Sequence, residues 1–410
     1  MRILFISQTF PYPPDTGSRN LIYHWLEAAS RIHDVDLFLT TDENVPQQRI
    51  PGLPRLEVHL CPIRVSHTLL GRTLRQANCL FRSVPATSLI LTPSETQRQV
   101  MDLVNNNGYE LIVLTENVVA GFASLLGATA PVLLVKHSVH AVDAADQRRR
   151  QGEHHPRWML EEHIVKRFEA ESCRAATVVC CVTREDADQL VQRYRLSNPV
   201  EPIPIGVDLS QFPCRGNDPN TKLIGFFGNL TWGANVDAVR WFCHEVLPLV
   251  WRTHPDAGFV VLGPGSDQLR SLSQDARVRF FGRVPSIPEA MKSVSVGVTP
   301  IISGTGIRFK LLEMLSMGIP TVSTNLGAEG THCVDGEHLL IADNAETFAR
   351  SVDTLLRDAA LRQRLAASGA RLASACSWES IYPKILEVFD LACRKYQQNT
   401  IDARVSQAQS

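Results

Sequence analysis

The segment Pro300 to Gly330, PIISGTGIRFKLLEMLSMGIPTVSTNLGAEG, concentrates the residues best suited to chemistry. An apolar run ends at Pro300, Ser303-Gly304-Thr305-Gly306 follows, and an apolar-periodic helix is predicted from Ile307 to Met317, stopped by Gly318. Glycines at a strand-to-helix junction let backbone N–H groups approach a ligand, and a helix N-terminus adds partial positive charge. Arg308 and Lys310 set two cations beside this bend, so a diphosphate is its natural occupant. Glu313 follows Gly306 by seven residues, ~10 Å along a helix axis, on the face that carries Gly306 and Lys310. That is about the span from phosphate to ribose in a nucleoside diphosphate, and a carboxylate there would accept hydrogen bonds from ribose hydroxyls. The same residues also fit an ordinary glycine turn, with Lys310 and Glu313 as a solvated helix pair.

Other clusters carry weaker signals. Asp34-Val35-Asp36 has the look of a D-x-D metal site, but its position is that of a turn running into a strand, so no metal is expected. Arg64, Arg72, Arg75 and Arg82 lie in a stretch without acidic residues, and Leu70, Leu74, Ala77 and Phe81 recur there at helical spacing. This reads as a surface helix packing on the first sheet, or as a basic amphipathic helix docking peripherally on an anionic membrane or a lipid-linked acceptor. Arg148 to Arg150 are balanced by Asp143, Asp146, Glu153, Glu161 and Glu162, which reads first as a solvated helix face and second as a binding patch.

The elements that must position these residues recur regularly. RILFIS, VDLFLT, LEVHLC, LIVLTE, VLLVKH and VVCCVT form one series of candidate strands; LIGFFG, FVVLG, VRFFG, SVGVTP, PTVST and HLLIA form a second. Helix-length segments separate them, with helices expected over about 17–31, 94–107 and 143–172. Val200 to Phe212 interrupts both periodicities and is the expected hinge. The division is therefore 1–204 and 205–377 as two Rossmann-like domains, 378–397 as a closing helix, and 398–410 as a polar tail. The fold class is α/β, two doubly wound domains facing across a cleft, with ligands at the carboxyl ends of the strands. From Asn117 the chain runs 19 residues without a charge, but breakers on both sides parse this stretch as strand, loop, buried helix, turn and strand.

Composition excludes other classes. Lys plus Arg number 41 against 42 Asp plus Glu, so no basic face for nucleic acid is expected. Ten scattered cysteines without C-x-x-C spacing suit a reducing compartment, and MRILFISQTF reads as a first strand, not a signal peptide. The expected location is cytoplasmic, with peripheral contact at the inner face of the membrane if the basic helix docks there.

The run GTGIRFKLLEMLSMGIPTVST resembles the nucleotide-binding stretch of family 4 (group 1) retaining glycosyltransferases of GT-B architecture. The likeness extends to the N-terminal strand with its Pro-rich loop and Gly17, to VLLVKHSV, VVCCVTREDADQL, PIGVDLSQF and GFFGNLTWGANVDAVRWF, and to the late SW. It implies transfer of a sugar from a nucleotide-diphosphate donor, UDP or GDP expected, to a hydroxyl acceptor (glycan, lipid-linked saccharide or small molecule) with retention of configuration. The first domain would take the acceptor and the second the donor, without cofactor or metal. It further implies His137, Arg308 and Lys310 as catalytic residues, and Gly17, Asn229, Gly304, Thr305, Gly306 and Glu313 as donor-binding residues. Arg308 and Lys310 would stabilise the departing diphosphate, and His137 would meet a sugar hydroxyl at the end of its strand.

The chain departs from the family pattern at several places. Thr305 stands where many members carry the first of two glutamates, Ile205 where the hinge has Asn, and Asn229 where some members have an Arg. His137-Ser138-Val139-His140 replaces the usual His-Asn-x-Glu. Two other activities fit the same fold: a nucleotide-sugar epimerase, and a non-catalytic nucleotide-sugar-binding protein. A double Arg308→Ala, Lys310→Ala variant should lose orders of magnitude in turnover with little effect on folding. Near-normal acceptor-dependent nucleotide release by that variant would overturn the assignment.

Overall fold

The computed structural model describes residues 1–41, 49–53, 55–62, 79, 84–151, 156–216, 219–304 and 308–409. They form two compact units, one of Met1–Pro204 with Tyr382–Ser410, the other of Ile205–Ile381.

The first unit holds seven parallel strands: β1 (Arg2–Ser7), β2 (Asp34–Thr41), β3 (Leu56–Pro62), β4 (Leu111–Thr115), β5 (Val132–Lys136), β6 (Val178–Cys181) and β7 (Val200–Pro202). Their spatial order is β3-β2-β1-β4-β5-β6-β7, so the direction of winding reverses between β1 and β4. β4, β5 and β6 are buried along their whole length. Burial on both faces is why they appear in the sequence as unbroken apolar runs. Helices cover the sheet through spaced apolar residues: Thr96, Val100 and Val104 are the buried stripe of Ser94–Asn107, and Gly108, in the left-handed region, ends that helix. The Asn117 stretch folds as read, with β4, a short helix Phe122–Leu126 and then β5.

Three expectations change. β7 lies inside the segment read as hinge, and its proline content suits an edge strand. The helix expected over 143–172 is two, His140–Gln151 and Pro156–Ala175, the second opening on the proline that best tolerates a first helical turn. The closing helix runs from Trp378 to Gln409, through the segment read as a polar tail. Phe389 anchors this helix to the first unit, its ring 6.3 Å from that of Phe5 and 6.0 Å from that of Trp25. Among the described residues no helix is long and apolar enough to cross a membrane.

The second unit repeats the design with six parallel strands: β8 (Leu223–Phe227), β9 (Gly258–Leu262), β10 (Val278–Phe280), β11 (Val296–Thr299), β12 (Thr321–Ser323) and β13 (Leu340–Ile341). The order β10-β9-β8-β11-β12-β13 again reverses beside the first strand, between β8 and β11. Phe242, Phe259 and Phe348 are fully buried, the first two 4.6 Å apart between ring centroids. The basic stretch with Leu70, Leu74, Ala77 and Phe81 lies outside the described residues.

An ion pair in the first unit sets the geometry at the end of β5. Lys136 and Glu169 are each 1% exposed, with Nζ 2.7 Å from Oε1. Glu169 also accepts from the backbone N–H groups of His140 and Ala141 and from the Tyr194 hydroxyl, while Lys136 donates to Asn117. Burial draws the Lys136 pKa down, but Glu169 outweighs it and leaves the ammonium above its ordinary range. Glu169→Ala should therefore cost about 3–5 kcal/mol in denaturant unfolding, because it strands a buried cation. A loss under about 1 kcal/mol would show that the pair does not hold this loop.

Candidate functional site

In the second unit the loops after β8 and β11 emerge side by side at the point of reversed winding, where open α/β sheets take their ligands. Residues 228–232 follow β8 and lead into the helix Gly233–Trp241; residues 300–304 follow β11, and Arg308 is the N-cap of the helix Phe309–Ser316. Arg308 and Lys310 are 2% and 7% exposed, so Lys310 does not form a solvated helix pair with Glu313.

Each cation is held by a residue from the β8 side. Lys310 Nζ donates to Asn235 Oδ1 at 2.7 Å, and Asn235 Nδ2 donates to the Asn229 carbonyl at 2.7 Å. The ammonium also lies 5.4 Å from the centre of the Phe226 ring. A Cβ on Gly228 would stand 2.9 Å from Lys310 Cε, so any side chain there would push the lysine stem aside. The Arg308 guanidinium sits 5.2 Å over the Trp232 ring. Gly304, at φ +90°, brings the backbone against Trp232, Ala234 and Arg308 in a conformation that disfavours any side chain.

Asn229, expected to face the donor, uses its side-chain oxygen to accept from the Thr231 amide and hydroxyl, and so shapes the loop. Thr305 and Gly306 lie outside the described residues.

Burial pushes the Lys310 pKa down to about 7, helped by Arg308 and opposed by Glu313. Burial pushes the Glu313 carboxyl up to about 7, partly offset by Lys310. In each case desolvation outweighs the neighbouring opposite charge. Two cations are thus held out of water at a cost, and an anion placed among them would return Lys310 to its charged form.

In the first unit, His137 follows β5, with Nδ1 3.2 Å from the Ser18 hydroxyl in the first turn of the helix Gly17–Ser30. This brings Gly17 and His137 to one place at the carboxyl end of the sheet. His137 Nε2 is buried and has no hydrogen-bond partner among the described residues. Burial, reinforced by Lys136, pushes the imidazole down to about 4, so it is neutral at physiological pH and suited to hydrogen-bond a hydroxyl.

Asp36 is engaged by the Arg2 guanidinium at 2.9 Å and by the Tyr109 hydroxyl. Among the described residues, Asp36, Glu57 and His59 place ligand atoms within 4.8 Å of one another, but a cation already holds the central carboxylate.

Asn235, Trp232, Ser18 and Glu169 were not singled out from the sequence as positioning residues. Asn235 had one available signal, its place a turn into the helix that follows the β8 loop. Glu169 had none, because its partner Lys136 is distant in sequence.

Both units resemble known proteins. Residues 16–211 match the family described as Glycosyltransferase Family 4, and residues 221–358 match Glycosyl transferases group 1. A phosphatidyl-myo-inositol mannosyltransferase of Mycobacterium leprae is 31% identical over 153 residues, 36% of this chain and 41% of that protein. The alignment therefore spans less than half of that relative. An uncharacterized 44.6 kDa protein from the cps region of Klebsiella pneumoniae is 21% identical across 86% of this chain and 90% of its own. Among solved structures, sucrose-phosphate synthase of Thermosynechococcus elongatus superposes with a TM-score of 0.72 at 16% identity, covering 95% of this chain and 98% of the other. An Anabaena protein solved with UDP and glucose superposes at 0.67, also with 16% identity, over 95% and 99%. With two glycosyltransferase family models together matching most of the chain, one in each unit, and the fold shared with solved glycosyltransferases, the chain belongs to the group 1 glycosyltransferases of GT-B architecture.

Proposed function

We propose that this glycosyltransferase takes a nucleotide-diphosphate sugar, with UDP the first candidate, and transfers the sugar to a hydroxyl acceptor with retention of configuration. One observation carries the reading: two buried cations, Arg308 and Lys310, stand beside a glycine bend at the winding reversal, and no carboxylate lies within ion-pair distance of Lys310 among the described residues. A diphosphate supplies the missing negative charge. The Anabaena structure with UDP and glucose supports the choice of nucleotide, and the name of the mycobacterial relative supports an acceptor that carries a polyol.

Arg308 and Lys310 then offset the charge that grows on the diphosphate as its bond to the sugar breaks, which is where such a site contributes most. Glu313 accepts from the ribose hydroxyls, and the Gly304 bend presents its backbone to the phosphates. In the first unit, the neutral His137 imidazole offers its Nε2 to a substrate hydroxyl. The acceptor oxygen attacks on the face the phosphate leaves, and the acceptor proton passes to a departing phosphate oxygen. No protein nucleophile and no metal enters this scheme.

The Lys310 shift gives the binding a pH signature. Without an anion beside it, burial holds the Lys310 pKa at about 7, so the group is mostly neutral at pH 8.5, whereas a bound diphosphate needs the ammonium. UDP affinity should fall as pH rises above 7, by about tenfold per unit, with proton uptake visible in calorimetry across buffers of different ionisation enthalpy. Lys310→Arg, which stays charged, should flatten that slope. Absence of UDP, GDP and dTDP heats at millimolar ligand would sink the donor assignment. Product analysis gives a second test: with the matching donor and acceptor, NMR should report the anomeric configuration of the donor, and an inverted product would exclude same-face attack.

A further inference from the structure

Glu116, which follows β4, has no part in the chemistry described above, yet its placement is unusual. It is 6% exposed, its φ is +80° although it is not a glycine, and its carboxyl group is met by uncharged donors. Glycine adopts that backbone conformation freely, whereas a glutamate adopts it at a cost that surrounding contacts must offset.

The contacts come from the end of β1 and the loop after it. The backbone N–H groups of Gln8 and Thr9 each donate to Oε2 at 3.3 Å, and the Thr9 hydroxyl donates to Oε1 at 2.7 Å. The Ser7 hydroxyl and the Gln8 side-chain amide reach the same carboxyl at 3.3 and 3.5 Å. Burial pushes the carboxyl pKa up, and the bonds from Thr9, Gln8 and Ser7 oppose it. Backbone N–H groups can only donate, so this pocket is shaped for a carboxylate oxygen.

The neighbouring residue reaches the other way. The Glu116 N–H donates to the Val135 carbonyl at 3.1 Å, and Asn117 Oδ1 accepts from Lys136. Two successive side chains thus run sideways along the sheet edge, one to β1 and one to β5, the strands on either side of β4. Lys136 precedes His137, and the loop after β1 leads to Ser18, whose hydroxyl stands 3.2 Å from His137 Nδ1. Leu21, Ile22 and Trp25 bury the body of the helix Gly17–Ser30, while Glu116 fixes the loop that enters it. Both sides of the Ser18–His137 contact therefore trace back to residues 116 and 117. The place is the winding reversal of the first sheet, where such folds take ligands, and here the chain supplies an acid of its own.

We infer that Glu116 is a positioning residue: its carboxylate is an internal anion that ties the β1 loop to β4 and so holds Ser18 against His137 for a substrate hydroxyl. The inference rests on the reading of His137 given above.

NMR of the full chain carrying isotope-labelled histidine tests it, with the His137 imidazole signal identified by its loss in His137→Gln. Glu116→Gly removes the carboxylate and accepts φ +80° without strain, so its fold is kept. Glu116→Gln keeps the shape but turns an amide towards the N–H donors. Both variants should shift the His137 signal. Added formate should return the Glu116→Gly signal to the parent position, and formamide, of similar size but neutral, should not. The proposal is overturned if both variants keep the parent signal, if formamide restores it as well as formate does, or if formate restores nothing. Failure of the donor assignment would look different, with no UDP heat in the parent chain and the formate-dependent His137 response intact.

Discussion

A lysine taken out of water must find a negative partner or lose its charge, and this chain meets that constraint in two opposite ways. Lys136, at the end of β5, is paired with Glu169 in a fully buried bridge that keeps it charged. Lys310, in the first turn of the helix after β11, donates to the neutral amide of Asn235 beside a second cation, and burial, only partly offset by Glu313, lowers its pKa. The first arrangement is complete as it stands and serves the fold. The second has no such partner among the described residues, which is why the proposed function is read from Lys310 and not from Lys136.

Both lysines occur at the carboxyl edge of a parallel sheet because that edge is where loops gather and where backbone and side chains converge without strand pairing. The sheet itself specifies little chemistry. What differs between the units is the residue set beside the lysine: a glutamate brought from a later helix in one, a glycine bend and an arginine over a tryptophan in the other.

Much of this was legible in the sequence. Strands such as LIVLT and VLLVK are buried on both faces, so their composition alone marked them, and the glycine bend with Arg308 and Lys310 stood out by spacing. What escaped depended on contacts between distant residues. β7 is three residues with little apolar character, recognisable only once β6 lies beside it. The helix beyond Gln397 is polar, and its first turns hold because Phe389 packs on Phe5 and Trp25. The Asn229 carbonyl accepts from the Asn235 amide, whose oxygen in turn accepts from Lys310, a relay visible only in three dimensions. No local pattern announces it.

The pair of helices that follows β5 is held from within and open to change on its exposed side. Glu169 and Lys136 fix its base from the interior, while Gln147 and Glu161 project from its outer surface. Substitutions at such exposed positions change stability by only about 0.5 kcal/mol. This face is thus free to drift over evolutionary time, and related chains could acquire new preferences here while the buried bridge beneath them stays the same.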